Sequence, residues 1–152
     1  MKTLHFILLF VAIHFSFVSF AQTNEQTKAF HGAEASGKEY KALYILNESD
    51  DKKIRAVIRN INNALEDPRL KGKLQVELIA FGDGVALYKK SNRYDTLLTV
   101  LQSKAVILAQ CENTMRERKI SKDELWPFVS YVPSGNGEII IRQYQGWAVV
   151  HP

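Results

Sequence analysis

The sequence predicts an α/β fold in which a five-stranded parallel sheet is covered by helices on both faces. Three observations predict it. Five short apolar runs recur between residues 42 and 150. The stretches between them carry apolar residues three and four apart, or capping and turn chemistry. The runs are mainly apolar, with Gln75, Glu77 and Ser130 as exceptions, as expected of strands buried on both faces.

The first run is residues 42–46, ALYIL. Ser49, Asp50 and Asp51 then offer N-cap and first-turn chemistry. Ile54, Val57, Ile58, Ile61, Ala64 and Leu65 follow on one helical face, with Pro68 and Gly72 punctuating the exit. Residues 74–81, LQVELIAF, form the second strand, followed by Gly82-Asp83-Gly84. A short helical stretch is expected over 85–90. Another over 93–102 carries Tyr94, Leu97, Leu98 and Leu101 on one face. Residues 105–109, AVILA, are the third strand and lead into Gln110 and Cys111.

Two capping-box spacings come next, Thr114 with Glu117 and Ser121 with Glu124, and each suggests a short helix. Trp126-Pro127 stops the second. Residues 129–132 make a short fourth strand, closed by Pro133-Ser134-Gly135. The stretch NGEIIIRQYQG fits strand or helix. Ile140 with Tyr144, and Gly146 where a C′ residue would fall, favour helix. Residues 147–150 are the last strand.

Ahead of this domain, residues 1–21 have the pattern of a secretory signal peptide. Lys2 supplies the positive end, residues 4–20 are mostly apolar, and Ser19-Phe20-Ala21 offers small residues for a cut after Ala21. An uncleaved anchor is the alternative, because the run approaches the ~20 residues that span a bilayer. The small-residue site and the polar sequence after it favour cleavage. The product would be exported, periplasmic or secreted, with no remaining membrane attachment. Residues 22–40 read as a flexible polar leader and 41–152 as a single domain.

The charges exclude some functions. Twenty basic residues face sixteen acidic ones, a net charge of +4, and losing Lys2 with the signal peptide reduces it to +3. Acids and bases are interspersed, as in SDDKKIR and TMRERKISKDE, so no basic stripe supports nucleic-acid binding. After cleavage the only histidines are His31 and His151, too far apart in sequence for a recognisable metal site. No metal or organic cofactor is expected. Cys111 is the only cysteine, so no intramolecular disulfide can form.

Ligands of open parallel sheets bind beyond the carboxyl ends of the strands. Asn47 and Glu48, Gly82-Asp83-Gly84, Cys111-Glu112-Asn113, Pro133-Ser134-Gly135 and His151 are expected at those ends. A thiol at a helix N-terminus meets free N–H groups that favour the thiolate, whereas Glu112 and Asp83 would oppose it. A buried cysteine acting as a small hydrophobe is the alternative. GDGVAL lacks the third glycine of a dinucleotide fingerprint, and a tight turn is its simpler reading. Trp126, Phe128, Tyr131 and Trp147 are read as core or subunit contacts.

Several pieces of the chain together resemble the DsrE/DsrF-like family, which includes the YchN-type proteins. They are Phe81-Gly82-Asp83-Gly84-Val85, Cys111-Glu112-Asn113-Thr114-Met115, residues 120–125, residues 132–135 and residues 143–148. The resemblance covers about residues 41–152. It implies a three-layer α/β/α sandwich with strand order 4-3-2-1-5, assembled into homotrimers or hexamers. It also implies that Cys111 accepts and passes on persulfide sulfur, exchanged with a donor or acceptor protein. Gly82, Asp83, Gly84, Asn113 and Thr114 are the expected cleft-lining or supporting residues. Phe81 stands where many relatives have His, and the export signal separates this chain from cytoplasmic sulfur-relay proteins. The rival reading is an exported oligomeric binding protein with a structural cysteine. In the family's strand order Cys111 and His151 are three strand spacings apart, roughly 14 Å at ~4.8 Å each, too far for a dyad.

Overall fold

The computed structural model describes residues 30–152. The expected signal peptide and most of the expected leader lie outside these residues. Residues 30–39 carry no regular secondary structure, and the folded unit is Ala35–Pro152.

Five parallel strands form one sheet in the order β4-β3-β2-β1-β5. They are β1 Tyr40–Leu46, β2 Leu74–Ala80, β3 Ile107–Cys111, β4 Ser130–Val132 and β5 Ala148–Val150. Four α-helices connect them: α1 Asp51–Glu66, α2 Asp95–Ser103, α3 Glu112–Glu117 and α4 Gly135–Tyr144. Three 3₁₀ segments, Gly82–Tyr88, Lys90–Asn92 and Lys122–Glu124, complete the elements among the described residues. This is the expected α/β fold with its five-stranded parallel sheet.

The sheet has two unequal cores. Ala42, Tyr44, Leu46, Val76, Leu78 and Leu108 face α1 and α2, where they meet Ile54, Val57, Ile58, Ile61, Leu98 and Leu101. Leu43, Ile45, Ile79 and Ala109 face the other way, beneath Trp147 and Ile139 of the α4–β5 segment. The strict alternation of the two sets along each strand follows from the two-residue side-chain period. One charged cluster interrupts the smaller core. Glu77 is 1% exposed and touches Arg142 of α4 at 2.6 Å, while Arg142 also pairs with Glu138 at 2.8 Å and lies 4.3 Å over the Trp147 ring.

α1 starts as expected, with the Asp50 side chain accepting from Lys53 N–H at 3.0 Å. α4 confirms the helical reading of NGEIIIRQYQG. Its N-cap Ser134 accepts from Gly137 N–H, and Gly146 at φ +80° closes it, with Trp147 N–H bonded to the Arg142 carbonyl. Ser121 and Glu124 form a full capping box, although over a 3₁₀ segment.

Four expectations need correction. The third strand begins at Ile107, not Ala105. Ala105 takes φ +59° and ends α2 in a Schellman turn, with Val106 N–H bonded to the Leu101 carbonyl. Thr114 does not cap a helix. Cys111 is the N-cap of α3, and Thr114 lies one turn inside. The helical stretch expected over 85–90 is 3₁₀, Gly82–Tyr88 and Lys90–Asn92, and the helix expected from 93 begins at Asp95, because Arg93 is left-handed at φ 54°. β1 takes in Tyr40, whose N–H bonds the Lys73 carbonyl, so the leader ends one residue earlier than expected.

Candidate functional site

At the carboxyl ends of β2, β3 and β4 the chain leaves the sheet through three turns, and a cavity of about 220 Å³ opens between them. Phe81 and Gly82 after β2 line one side. Cys111, Asn113, Thr114 and Glu117 of β3–α3 line another, and Ser134, Gly135 and Asn136 at the start of α4 close it.

Cys111 is the last residue of β3 and shares the α4-side face with Ala109. Only 4% of its surface is exposed. Its thiol makes no capping hydrogen bond to α3. Its carbonyl accepts from Gln110 Nε2 at 3.0 Å, and Gln110 is itself fully buried on the opposite face of the strand. Both carboxylates expected to oppose a thiolate are engaged elsewhere. Asp83 pairs with Arg118 at 2.6 Å and Glu112 with Lys122 at 2.9 Å, and neither lines the cavity. These pairs are solvent-exposed and therefore weak, but they draw negative charge toward partners of opposite sign.

The expected supporting residues separate into two groups. Gly82, Asn113 and Thr114 line the cavity with Cys111. Gly82 is left-handed at φ +55°, and its N–H donates to Thr114 Oγ1 at 2.9 Å, tying the β2 turn to α3. Asp83 and Gly84 do not line it. Gly84 has a packing role, because a Cβ there would fall 2.1 Å from the Leu46 carbonyl oxygen. His151 pairs with Asn47, Nε2 to Oδ1 at 3.2 Å, beside β1. Three strand spacings separate its strand from β3, so no Cys–His dyad exists here.

Glu117 and Asn136 were not foreseen as lining residues, whereas Gly135 was expected at the strand-end edge and lines the cavity with them. The Thr114–Glu117 spacing, read as a capping box, instead puts both side chains on one face of α3, toward the cavity. The signal for the α4 wall was Ser134, an N-cap residue directly after a strand. Gly135 is small for a reason. A Cβ there would lie 2.9 Å from Phe81 Cδ1, so the two residues close the wall together. Among the described residues no group of three His, Cys, Asp or Glu could hold a metal ion. No helix among them is long and apolar enough to cross a membrane.

The DsrE/DsrF-like family model matches residues 26–152. A solved structure described as a protein of unknown function, MTH1491 from Methanobacterium thermoautotrophicum, is similar to this chain. It is 28% identical with a TM-score of 0.71, and the match covers 75% of this chain and 100% of that one. No curated protein matches.

Proposed function

The chain belongs to the DsrE/DsrF-like family, and from that premise we propose that it is a sulfur carrier holding persulfide sulfur on Cys111. One observation carries this reading. The only cysteine lies at the carboxyl end of a central strand and lines a cavity, and the sequence resemblance implies that it matches the family's sulfur-relay thiol. The thiolate would attack a sulfane sulfur, hold it as a persulfide and yield it to an acceptor thiol. Thiol–disulfide exchange of this kind needs no metal or organic cofactor.

Further parts of the proposal concern setting. The chain is exported after cleavage near Ala21 and works in the periplasm as a homo-oligomer, a trimer or hexamer. The exposed Ile140, Ile141 and Tyr144 of α4 support the assembly, because a contiguous apolar surface commonly marks an interface.

The rival reading, a binding protein with an inert structural cysteine, is favoured by the burial of Cys111. Intact mass of the folded protein after polysulfide treatment, alongside Cys111→Ser, separates the two. A gain of one sulfur on the wild type alone, reversed by a reductant, is the expected result. An unchanged mass, with a thiol that resists alkylation until unfolding, would establish the rival.

A further inference from the structure

The size and lining of the cavity bear on which donor can reach Cys111, a question that rests on the carrier reading above. At 220 Å³ the cavity falls below the ~300–1,000 Å³ usual for organic ligands. It has room for several waters or a small solute.

Much of its polar lining is already committed to the fold. Thr114 Oγ1 accepts from Gly82, Ser134 Oγ from Gly137, and Asn113 Oδ1 from Arg116. Beside the hydroxyl protons of Thr114 and Ser134 and the Asn113 and Asn136 side-chain amides, two kinds of group bear most directly on a sulfur species. One is the Cys111 thiol, buried and without a hydrogen-bond partner among the described residues. The other is the N–H pair of Gly135 and Asn136, the first two residues of the ten-residue α4, which have no intrahelical acceptor. Glu117 is the one charged side chain in the lining and opposes multiply charged anions. Such a site suits a small, neutral or singly charged sulfur species.

We propose that the sulfur donor is a small inorganic hydropolysulfide, in its simplest form hydrogen disulfide. Persulfidated proteins and tripeptide-sized persulfides reach the thiol poorly, because only 4% of the Cys111 surface is exposed. In the transfer, the Cys111 thiolate attacks one sulfur of H–S–S–H and a new S–S bond forms. The donor's S–S bond breaks, and hydrosulfide leaves with the bonding pair. The leaving hydrosulfide takes up a proton equivalent to the one the thiol released. One thiol and one hydrogen disulfide thus become one persulfide and one hydrogen sulfide, and no oxidant is consumed.

The test offers the full chain three donors at equal concentration: sodium disulfide, glutathione persulfide, and a persulfidated protein with a surface cysteine. Intact mass follows the gain of sulfur on Cys111, with Cys111→Ser as the blank. Each rate is divided by the rate on the same protein unfolded in urea, so that intrinsic reactivity cancels. Sodium disulfide is expected to lead both others by at least about tenfold, a difference of about 1.4 kcal/mol. Phe81→Ala, which removes part of the wall, is expected to bring glutathione persulfide toward the disulfide rate. If that variant does not fold, the wild-type comparison still decides. Equal normalised rates for all three donors would overturn the donor class and leave the carrier reading standing. No sulfur on Cys111 from any donor would sink the carrier reading itself.

Discussion

Gly84→Ala tests the packing that places the β2 turn, and with it one side of the cavity. A methyl carbon at this position would lie 2.1 Å from the Leu46 carbonyl oxygen, 2.7 Å from its carbon and 3.1 Å from Asn47 N. All three are backbone atoms, so no side-chain rotation relieves the clash. The turn or the end of β1 must shift by about 1 Å, and overpacking of this kind costs about 1–3 kcal/mol. The shift also strains the hydrogen bond from Phe81 N–H to the same Leu46 carbonyl, 3.1 Å long, worth about 1 kcal/mol. Together these give about 3 kcal/mol. At ~2.1 cal/mol/K of unfolding entropy per residue, a folded unit spanning Ala35–Pro152 loses about 4 °C of Tm per kcal/mol. Thermal unfolding should therefore fall by roughly 12 °C.

Gly146→Ala is the control, because it separates crowding from backbone conformation. Gly146 is left-handed at φ +80°, and a methyl carbon added there would meet no atom within 4 Å. Its substitution should cost only the ~1–2 kcal/mol of a left-handed L-residue. If Gly84→Ala melts within about 4 °C of the wild type, or no lower than Gly146→Ala, the close approach of turn and strand does not constrain the fold as argued.

The ion pairs and the turn make three further predictions. Thr114→Val keeps the side-chain shape but strands the Gly82 N–H, and should cost about 1–2 kcal/mol in denaturant unfolding; Thr114→Ser should recover most of it, and no difference between the two would refute the bond's role. Hydrogen bonds from Arg69 hold the Asp67 carboxyl down to about 2, so an NMR titration should place its midpoint there. Its contribution to stability is present above the ordinary carboxylate range and lost as pH falls through about 2, and Asp67→Asn should remove that part of the acid dependence. Burial raises the Glu77 carboxyl more than Arg142 lowers it, so its stabilising contribution is present below the ordinary glutamate range and lost as pH rises through the raised value. At neutral pH Glu77→Gln should therefore cost less than Arg142→Met, which leaves a buried carboxylate unpaired and should cost about 3–5 kcal/mol; equal losses would contradict this.

Much of the fold was legible because parallel strands buried on both faces appear as mainly apolar runs, and five of them stand out, the second interrupted by Gln75 and Glu77 and the fourth by Ser130. Boundaries were less legible where backbone conformation carried no residue signal. Ala105 ends α2 in a left-handed turn usually given to glycine, and nothing in AVILA marks the strand's true start two residues on. At the site, Cys111 was placed on the strand-end edge because polar sequence follows the third run directly. Gly84 and Gly82 look alike in sequence yet differ in kind. Gly82 needs its positive φ, whereas Gly84 needs its missing side chain. That difference comes from a non-local approach to β1. The pairing of Asp83 with Arg118 and of Glu112 with Lys122 is likewise tertiary.

The burial of Cys111 does not by itself decide between a carrier and a structural thiol, because a thiol 4% exposed can react by two routes. A solute entering the cavity reacts at a rate set by the mouth and the thiolate population, and low denaturant leaves that rate nearly unchanged. A thiol sealed in the core reacts only when the surrounding segment opens, and its rate then tracks the opening equilibrium and climbs with denaturant. The cavity argues for the first route, since Asn113, Glu117 and Asn136 give it a polar rim. Alkylation of the native protein by a small reagent such as iodoacetamide should thus be slowed relative to the unfolded chain, yet flat with urea until the global transition. A rate rising steeply with urea below that transition would mean that the thiol belongs to the core and that the cavity does not reach it.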